Sequence, residues 1–332
     1  MANGFFYFCS MLLKVENLTL SYDDITVLNN LTFNINQGDI LCILGESGCG
    51  KTSLLKAIRG FMDRDTGEIY FQDERVFNKS EKLVPGTKGI AIVHQDFQLE
   101  PGYTVYDNIR HHLIQYRKSY QDSKTEEIIT LCHLESIRNK TSKELSGGQK
   151  QKVALAKAII EEPPLLLLDE PFSNLDNISK TEFKLILKNI VKKLHIGLLF
   201  VTHDSRDALT FSDEILIIQN GKLLKKGSAK DLTQNPPSKY AAQLLGLINI
   251  FCGEELNKSF GLDCIKDKDY WLPQNALRIE KGKQFKVILE LFLGDEFEYH
   301  LSDNTINITI RLKERLTGKA FEVIVKNPIL IE

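Results

Sequence analysis

An α/β domain carrying a helical insert, followed by a small all-β domain, is the fold class this sequence predicts. Three observations predict it. The stretch Gly45-Glu46-Ser47-Gly48-Cys49-Gly50-Lys51-Thr52 fits the phosphate-binding pattern G-x-x-x-x-G-K-[ST] at every fixed position. Short aliphatic runs recur on either side of it, as the strands of a sheet buried on both faces would. From about Asn249 the texture changes to short alternating strands divided by turn residues, the pattern of a small barrel or sandwich.

The elements follow in order. Leu12 to Leu20 alternates in parts and reads as an edge strand; Tyr22 follows it. Val27 to Ile35 alternates again, and Gln37-Gly38-Asp39 turns the chain into the apolar run Ile40 to Leu44. That run leads into the glycine-rich loop, and Ser53 to Ile58 suits a helix whose N-terminus faces an anion. A triphosphate needs several backbone N–H groups converging on its oxygens, and glycines let the backbone curl that close. In this pattern Lys51 adds a cation at the β/γ-phosphates, and Thr52 a hydroxyl for Mg²⁺. The loop N–H groups, the helix dipole and Lys51 together lead to an expected lowered pKa for Cys49.

Thr66 to Phe71 and Gly89 to Val93 read as strands, and residues 104–145 as a helical insert. Leu165 to Leu168, after Pro163-Pro164, reads as a buried strand with Asp169 and Glu170 at its exit, where open α/β sheets bind ligands. Adjacent acids there call for a cation or a task. Ser179 to Leu194 places Phe183, Leu187, Ile190 and Leu194 on one helical stripe. Leu198 to Val201 is another buried strand, and Asn220-Gly221 between apolar runs signals a hairpin. Tyr240 to Leu247 reads as a final short helix. Strands are then expected at Phe285 to Leu291, Glu296 to Leu301, Ile306 to Leu312 and Phe321 to Val325.

Composition bounds the function classes. The 332 residues are 42% apolar and 26% charged with net charge −2, so no global field draws the chain to nucleic acid. The six cysteines are scattered without a C-x-x-C pair, which indicates neither a zinc site nor a disulfide framework. No run reaches the eighteen or so apolar residues of a membrane-spanning helix. Residues 1–11 form an N-terminal extension that is apolar but lacks the basic start of a signal peptide, and Met11 is an alternative start.

Five further features line up after the loop: Gln95; Leu145-Ser146-Gly147-Gly148-Gln149 opening a helix; the aliphatic strand into Asp169-Glu170; Ser173-Asn174-Leu175-Asp176; and His203 after its strand. This series resembles the ATP-binding cassette (ABC) ATPases, a phosphate-loop NTPase family, over about residues 12–245. The resemblance implies ATP and Mg²⁺ as cofactors. It implies that Tyr22 stacks on adenine, that residues 45–53 hold the phosphates, and that Gln95 contacts Mg²⁺ and the attacking water. Asp169 holds Mg²⁺ with Thr52, Glu170 polarises the water, and His203 contacts the γ-phosphate. Ser146 to Gln149 form a second anion site that, in the family, faces the nucleotide of a partner cassette. One cassette per chain therefore implies a dimer, with two nucleotides sandwiched head to tail.

The chain departs from the family pattern in places. Lys150 and Lys152 flank Gln151 where Arg is usual, Asn174 stands where Ala is common, and Leu99-Glu100-Pro101-Gly102 replaces the usual Phe-Pro-His neighbourhood. None of these removes a group needed for hydrolysis. Tyr240 to Gly246 with Asn249, and Phe292-Leu293-Gly294-Asp295, look like importer subunits with a TOBE-type accessory domain, here residues 246–332. That implies permease subunits and, indirectly, a substrate-binding protein as partners, with the chain peripheral at the cytoplasmic face of the cell membrane. The expected cargo is an inorganic ion such as ferric iron. An export role stays open, as does a soluble, non-transport cassette protein, although the fused double cassettes and long coiled coils of such proteins are missing.

Overall fold

The computed structural model describes residues 11–331 except Asp24, Lys319 and Asn327. The N-terminal extension expected over residues 1–11 lies outside the described residues apart from Met11. The described chain divides by contacts into one compact unit up to Ala229 and a second from Lys230, whereas the sequence reading draws its boundary at 245/246.

The first unit begins with β1 (Met11–Tyr22), β2 (Ile25–Asn36), β3 (Ile40–Leu44), α1 (Lys51–Arg59), β4 (Thr66–Phe71), β5 (Glu74–Arg75) and β6 (Ile90–Val93). The insert contributes α2 (Val105–Arg110) and α3 (Lys118–Leu131), and α4 (Gly147–Ile159) follows it. The unit continues through β7 (Leu165–Asp169), α5 (Asn177–Leu194), β8 (Gly197–Thr202), α6 (Ser205–Phe211), β9 (Glu214–Gln219) and β10 (Lys222–Gly227).

Six strands form one sheet in the order β10-β9-β3-β8-β7-β6, parallel except for β10. Every residue of β3, β7 and β8 is buried, which is why these strands read as continuous apolar runs rather than alternating ones. Their C-terminal ends lie side by side and release the loops that carry the sequence motifs. Phe172, Phe183, Phe200 and Phe211 pack edge to face with centroids 5.4–6.1 Å apart. The β9–β10 hairpin turns through Asn220 (φ 47°) and Gly221 (φ 72°), as Asn-Gly predicts. A Cβ on Gly221 would lie 2.3 Å from the Val27 carbonyl oxygen, so no larger residue fits this turn.

A second, antiparallel sheet has the order β2-β1-β4-β5. Here the structure corrects the sequence reading: β1 pairs on both sides and is an interior strand, not an edge. Leu13, Val15, Leu18 and Leu20 are fully buried. Register shifts between Val15 and Leu20, with Asn17 at φ 49°, break the alternation and disguise the strand's central place.

The second unit contains α7 (Ala229–Gln234) in all but its first residue, then α8 (Lys239–Leu244), β11 (Ile250–Cys252), α9 (Gly253–Phe260) and β12 (Asp269–Trp271). Next come β13 (Leu277–Phe292), β14 (Phe297–Ser302), β15 (Asn307–Leu312), β16 (Ala320–Val325) and β17 (Ile329–Leu330). The four expected strands are β13 to β16, in the sheet order β15-β14-β13-β16 around Phe285, Tyr299, Leu301 and Ile308. Helix α9 is an addition that the alternation does not announce. The edge strand β15 is covered by side-chain amides. Asn249 donates from Nδ2 to the Thr309 carbonyl (2.8 Å) and accepts the Thr309 N–H (2.7 Å), while Gln274 Oε1 accepts the Arg311 N–H (3.0 Å). These bonds occupy backbone groups that an open edge would offer to another chain. Among the described residues no helix is long and apolar enough to cross a membrane.

Candidate functional site

The loop between β3 and α1 closes around the Lys51 ammonium. Lys51 is the first residue of α1 and only 6% exposed, and its Nζ donates to the carbonyls of Gly45 (2.7 Å) and Glu46 (2.8 Å). A buried cation needs such partners. Gly50 caps the helix at φ 96°, and a Cβ there would lie 2.6 Å from Leu28 and 2.8 Å from Val27, so the turn requires glycine. The first N–H groups of α1 have no acceptor within the helix and carry its positive dipole end. Ser47, Gly48, Gly50, Lys51, Thr52 and Ser53 line a cavity of about 400 Å³. Its other walls are Tyr22, Val27, Gln95, Asp169 and Glu170.

The acidic wall comes from strand register. In the parallel pair β7/β8, Asp169 lies opposite Val201, so the residues just past the two strand ends are neighbours. Asp169 is 9% exposed and its Oδ1 accepts the Thr52 hydroxyl at 3.2 Å. Glu170 turns out of the strand at φ 49°, with its N–H on the Val201 carbonyl (3.1 Å). A left-handed non-glycine residue costs energy that only a well-packed surround sustains, and such strain gathers at functional sites. Glu170 Oε1 then lies 2.9 Å from His203 Nδ1. Gln95 enters from the end of β6, whose Val93 pairs with Leu168 of β7. A hydroxyl, a carboxylate and an amide oxygen fit a hard divalent cation such as Mg²⁺, which keeps several waters and takes few protein ligands. The glycine-rich cradle with its buried lysine fits a polyphosphate. The site can thus hold phosphates on one side and a carboxylate–imidazole pair on the other.

The structure gathers Tyr22, Ser47, Gly48, Gly50 to Ser53, Gln95, Asp169 and Glu170 around one cavity, with His203 bonded to Glu170 behind it; Gly45, Glu46 and Cys49 of the loop do not line it. It does not bring Ser146 to Gln149 to the same cavity. Ser146 caps α4, its Oγ accepting the Gln149 N–H (3.3 Å) while Gln149 Oε1 accepts the Ser146 N–H (3.0 Å). Ser146 and Gly147 are exposed. The loops are nonetheless linked within the chain. Buried Gln151 donates to the Pro171 carbonyl, and Lys152 pairs with Glu182 on α5 at 2.6 Å. The Ser173 hydroxyl donates to the Glu170 carbonyl (3.0 Å), and Asp176 caps α5.

One cavity residue and one neighbour of the cavity wall escape sequence reasoning. Val27 lines the site from β2, where only its place in the alternation is visible, and Met62 touches Tyr22 from beyond α1. The expectation for Cys49 is also corrected. Burial pushes its thiol up, and the opposing pull of Lys51 and the loop N–H groups is the smaller effect. Cys42, fully buried on β3, is pushed up more strongly by burial.

Comparison with known proteins gives the same picture. A family profile described as "ABC transporter" matches residues 28–173. The chain is 34% identical over 313 residues to the spermidine/putrescine import ATP-binding protein PotA of Clostridioides difficile (strain 630), covering 88% of this chain and 89% of that protein. It is similar to the solved structure of cbiO1 from Clostridium perfringens, described as part of the ABC transporter complex cbiONQ. The TM-score is 0.61 at 26% identity, over 67% of this chain and 90% of that one. It is also similar to the ATP-binding cassette MJ0796, a dimeric post-hydrolysis structure bound to ADP and Pi. There the TM-score is 0.58 at 27% identity, over 66% of this chain and 99% of that one. Nothing in these relatives supports the ferric-iron cargo expected from the sequence.

Proposed function

This chain belongs to the ABC transporter family, and from that premise we propose that it is the ATP-hydrolysing subunit of a polyamine importer. The observation that carries the catalytic part is the convergence of the Thr52–Asp169 pair and of Glu170, itself bonded to His203, on one cavity headed by the α1 N-terminus. When bound, MgATP supplies the phosphoanhydride bond that is broken and a cation that offsets its charge. Lys51 and the α1 N–H groups hold the phosphates. Thr52 and Asp169 would hold the metal, with Gln95 as a further oxygen ligand from the cavity wall. Glu170 accepts the proton of the attacking water as general base, and His203 holds that carboxylate in place. Tyr22 gives the base a flat apolar face.

Exposed Ser146, Gly147 and the α4 N-terminus form a second anion site that does not line this cavity. It serves the nucleotide of a partner cassette in a head-to-tail homodimer, a reading supported by the dimeric cassette among the relatives. The dimer sits peripherally at the cytoplasmic face against permease subunits, which a substrate-binding protein loads. Residues 246–332 serve as a TOBE-like accessory domain. The polyamine cargo rests on the relative whose name states spermidine/putrescine import.

The test is transport. Proteoliposomes containing this chain with its permease, given the binding protein, are expected to take up labelled spermidine or putrescine only when ATP is supplied on this chain's side. ATP-driven uptake of ferric iron with no uptake of either polyamine would contradict the cargo.

A further inference from the structure

Gln95 lines the phosphate cavity, yet among the described residues no hydrogen bond holds its side chain. Its place in the wall is therefore set by its backbone. That backbone leaves β6 and turns at once. The Phe97 N–H donates to the His94 carbonyl (3.2 Å) and the Gln98 N–H to the Asp96 carbonyl (2.8 Å). Phe97 and Gln98 are both left-handed, at φ 62° and 44°. Two consecutive non-glycine residues in that region cost energy and persist only where the surroundings hold them there. The far end of the segment is tied by Asn108, whose Oδ1 accepts the Glu100 N–H (2.9 Å) and whose Nδ2 donates to the Glu100 carbonyl (3.2 Å). The turn itself is gripped from α4. Lys157, in the last turn of that helix, donates from Nζ to the Gln98 carbonyl at 2.6 Å. Lys157 is half-buried, and burial pulls its pKa down. Withdrawing a cation from water is unfavourable, and what this one gains is a fixed loop.

Resting on the reading of Gln95 as a ligand of the metal, we propose that Lys157 is a positioning residue for it: by holding the Gln98 carbonyl, it keeps the Phe97-Gln98 turn wound and the Gln95 amide in the cavity wall. Loss of the ammonium lets the turn relax towards ordinary backbone angles, and the amide leaves the wall. Lys157 lines no part of the phosphate cavity. Its whole effect on the site passes through Gln95.

The experiment is a double-mutant cycle read by calorimetry. Wild type, Lys157→Met, Gln95→Ala and the double variant are each titrated with MgATP, and with ATP in EDTA. Methionine keeps an apolar stem in the half-buried place and removes the donor. Lys157→Met should bind MgATP about tenfold more weakly than wild type, the low end of what losing an outer-shell partner costs a metal site. It should bind ATP in EDTA as wild type does. In the Gln95→Ala background, Lys157→Met should add no further loss. Lys157→Arg, which keeps a charged donor, should match wild type throughout. With no nucleotide present, amide hydrogen exchange over residues 96–98 should be several-fold faster in Lys157→Met. Wild-type MgATP affinity or wild-type exchange in Lys157→Met would overturn the proposal. So would a loss equally large in EDTA, or one undiminished in the Gln95→Ala background, because the lysine would then act on the fold at large. Wild-type MgATP affinity in Gln95→Ala alone would overturn the reading of Gln95 as a metal ligand, and the proposal with it.

Discussion

His203 Nδ1 lies 2.9 Å from Glu170 Oε1, although the two residues are thirty-three positions apart in the chain. The parallel register of β7 and β8 makes them neighbours. One carboxylate oxygen is thereby occupied, on a side chain that lines the cavity. Removing the imidazole frees the carboxylate to rotate. His203→Ala should lower turnover by about 100-fold, the scale of a misplaced general base, while ATP affinity changes by less than about threefold. Phosphate release and calorimetry on the same preparation check this. Unchanged turnover would show that the contact has no catalytic use.

Lys51→Ala should damage binding as well as rate. The ammonium proposed to serve the phosphates also ties Gly45 and Glu46 into the loop. A charge-assisted hydrogen bond is worth about 1.5–3 kcal/mol, so MgATP affinity should fall by about tenfold or more. Equal affinity for variant and wild type would mean that the lysine does not face the nucleotide.

Ser146→Arg should leave ATP binding by the single chain intact and abolish hydrolysis. The exposed Ser146 caps α4 away from the cavity that Lys51 lines. Mixing Ser146→Arg with Lys51→Ala gives heterodimers with one doubly damaged site and one intact site. Hydrolysis reappearing on mixing is the expected result. Full activity of isolated Ser146→Arg monomers would exclude the shared site.

Cys49 should behave as a sluggish thiol. Burial raises its pKa, so at a given pH less of it is thiolate than in a free cysteine, and its reaction with maleimide is slower until the pH rises. The adduct, once formed, lies in the phosphate loop. Slow inactivation, protection by MgATP, and an active but resistant Cys49→Ala are therefore expected. A reaction faster than that of a free thiol would mean that Lys51 and the loop dipoles outweigh burial.

Asn249→Ala should destabilise the second unit. The side chain makes two bonds to Thr309 on the edge strand and is 8% exposed. Leaving those groups unpaired costs about 2 kcal/mol, and the left-handed backbone of Asn249, at φ 65°, disfavours Ala further. Denaturant unfolding measures the loss. A change below about 0.5 kcal/mol, within the range of an ordinary surface substitution, would show that the amide does not hold the edge.

What could be read from the chain follows from how local each feature is. β3, β7 and β8 are legible because burial on both faces leaves unbroken aliphatic runs. The phosphate loop is legible because its glycines and its lysine are each tied to a backbone task within eight residues. β1 misleads because its bulges interrupt the alternation. α9 is hidden by its eight-residue length and by a cysteine at its N-cap in place of the usual Ser, Thr, Asp or Asn. The resemblance supplies His203 and Glu170 as separate residues, but their mutual contact depends on strand register. The Cys49 error has the same root: charges near a thiol are visible in a sequence, and the packing that outweighs them is not.

The central claim is that Glu170 is the base of an ATP-hydrolysing site, and Glu170→Gln tests it most directly. The amide keeps the shape and the left-handed backbone position while losing basicity. Phosphate release under saturating MgATP should fall by at least about 100-fold, with ATP binding retained and an ATP-bound dimer accumulating on gel filtration. Phosphate release near the wild-type rate would contradict the account, because the cavity would then hydrolyse ATP without the residue assigned to activate water.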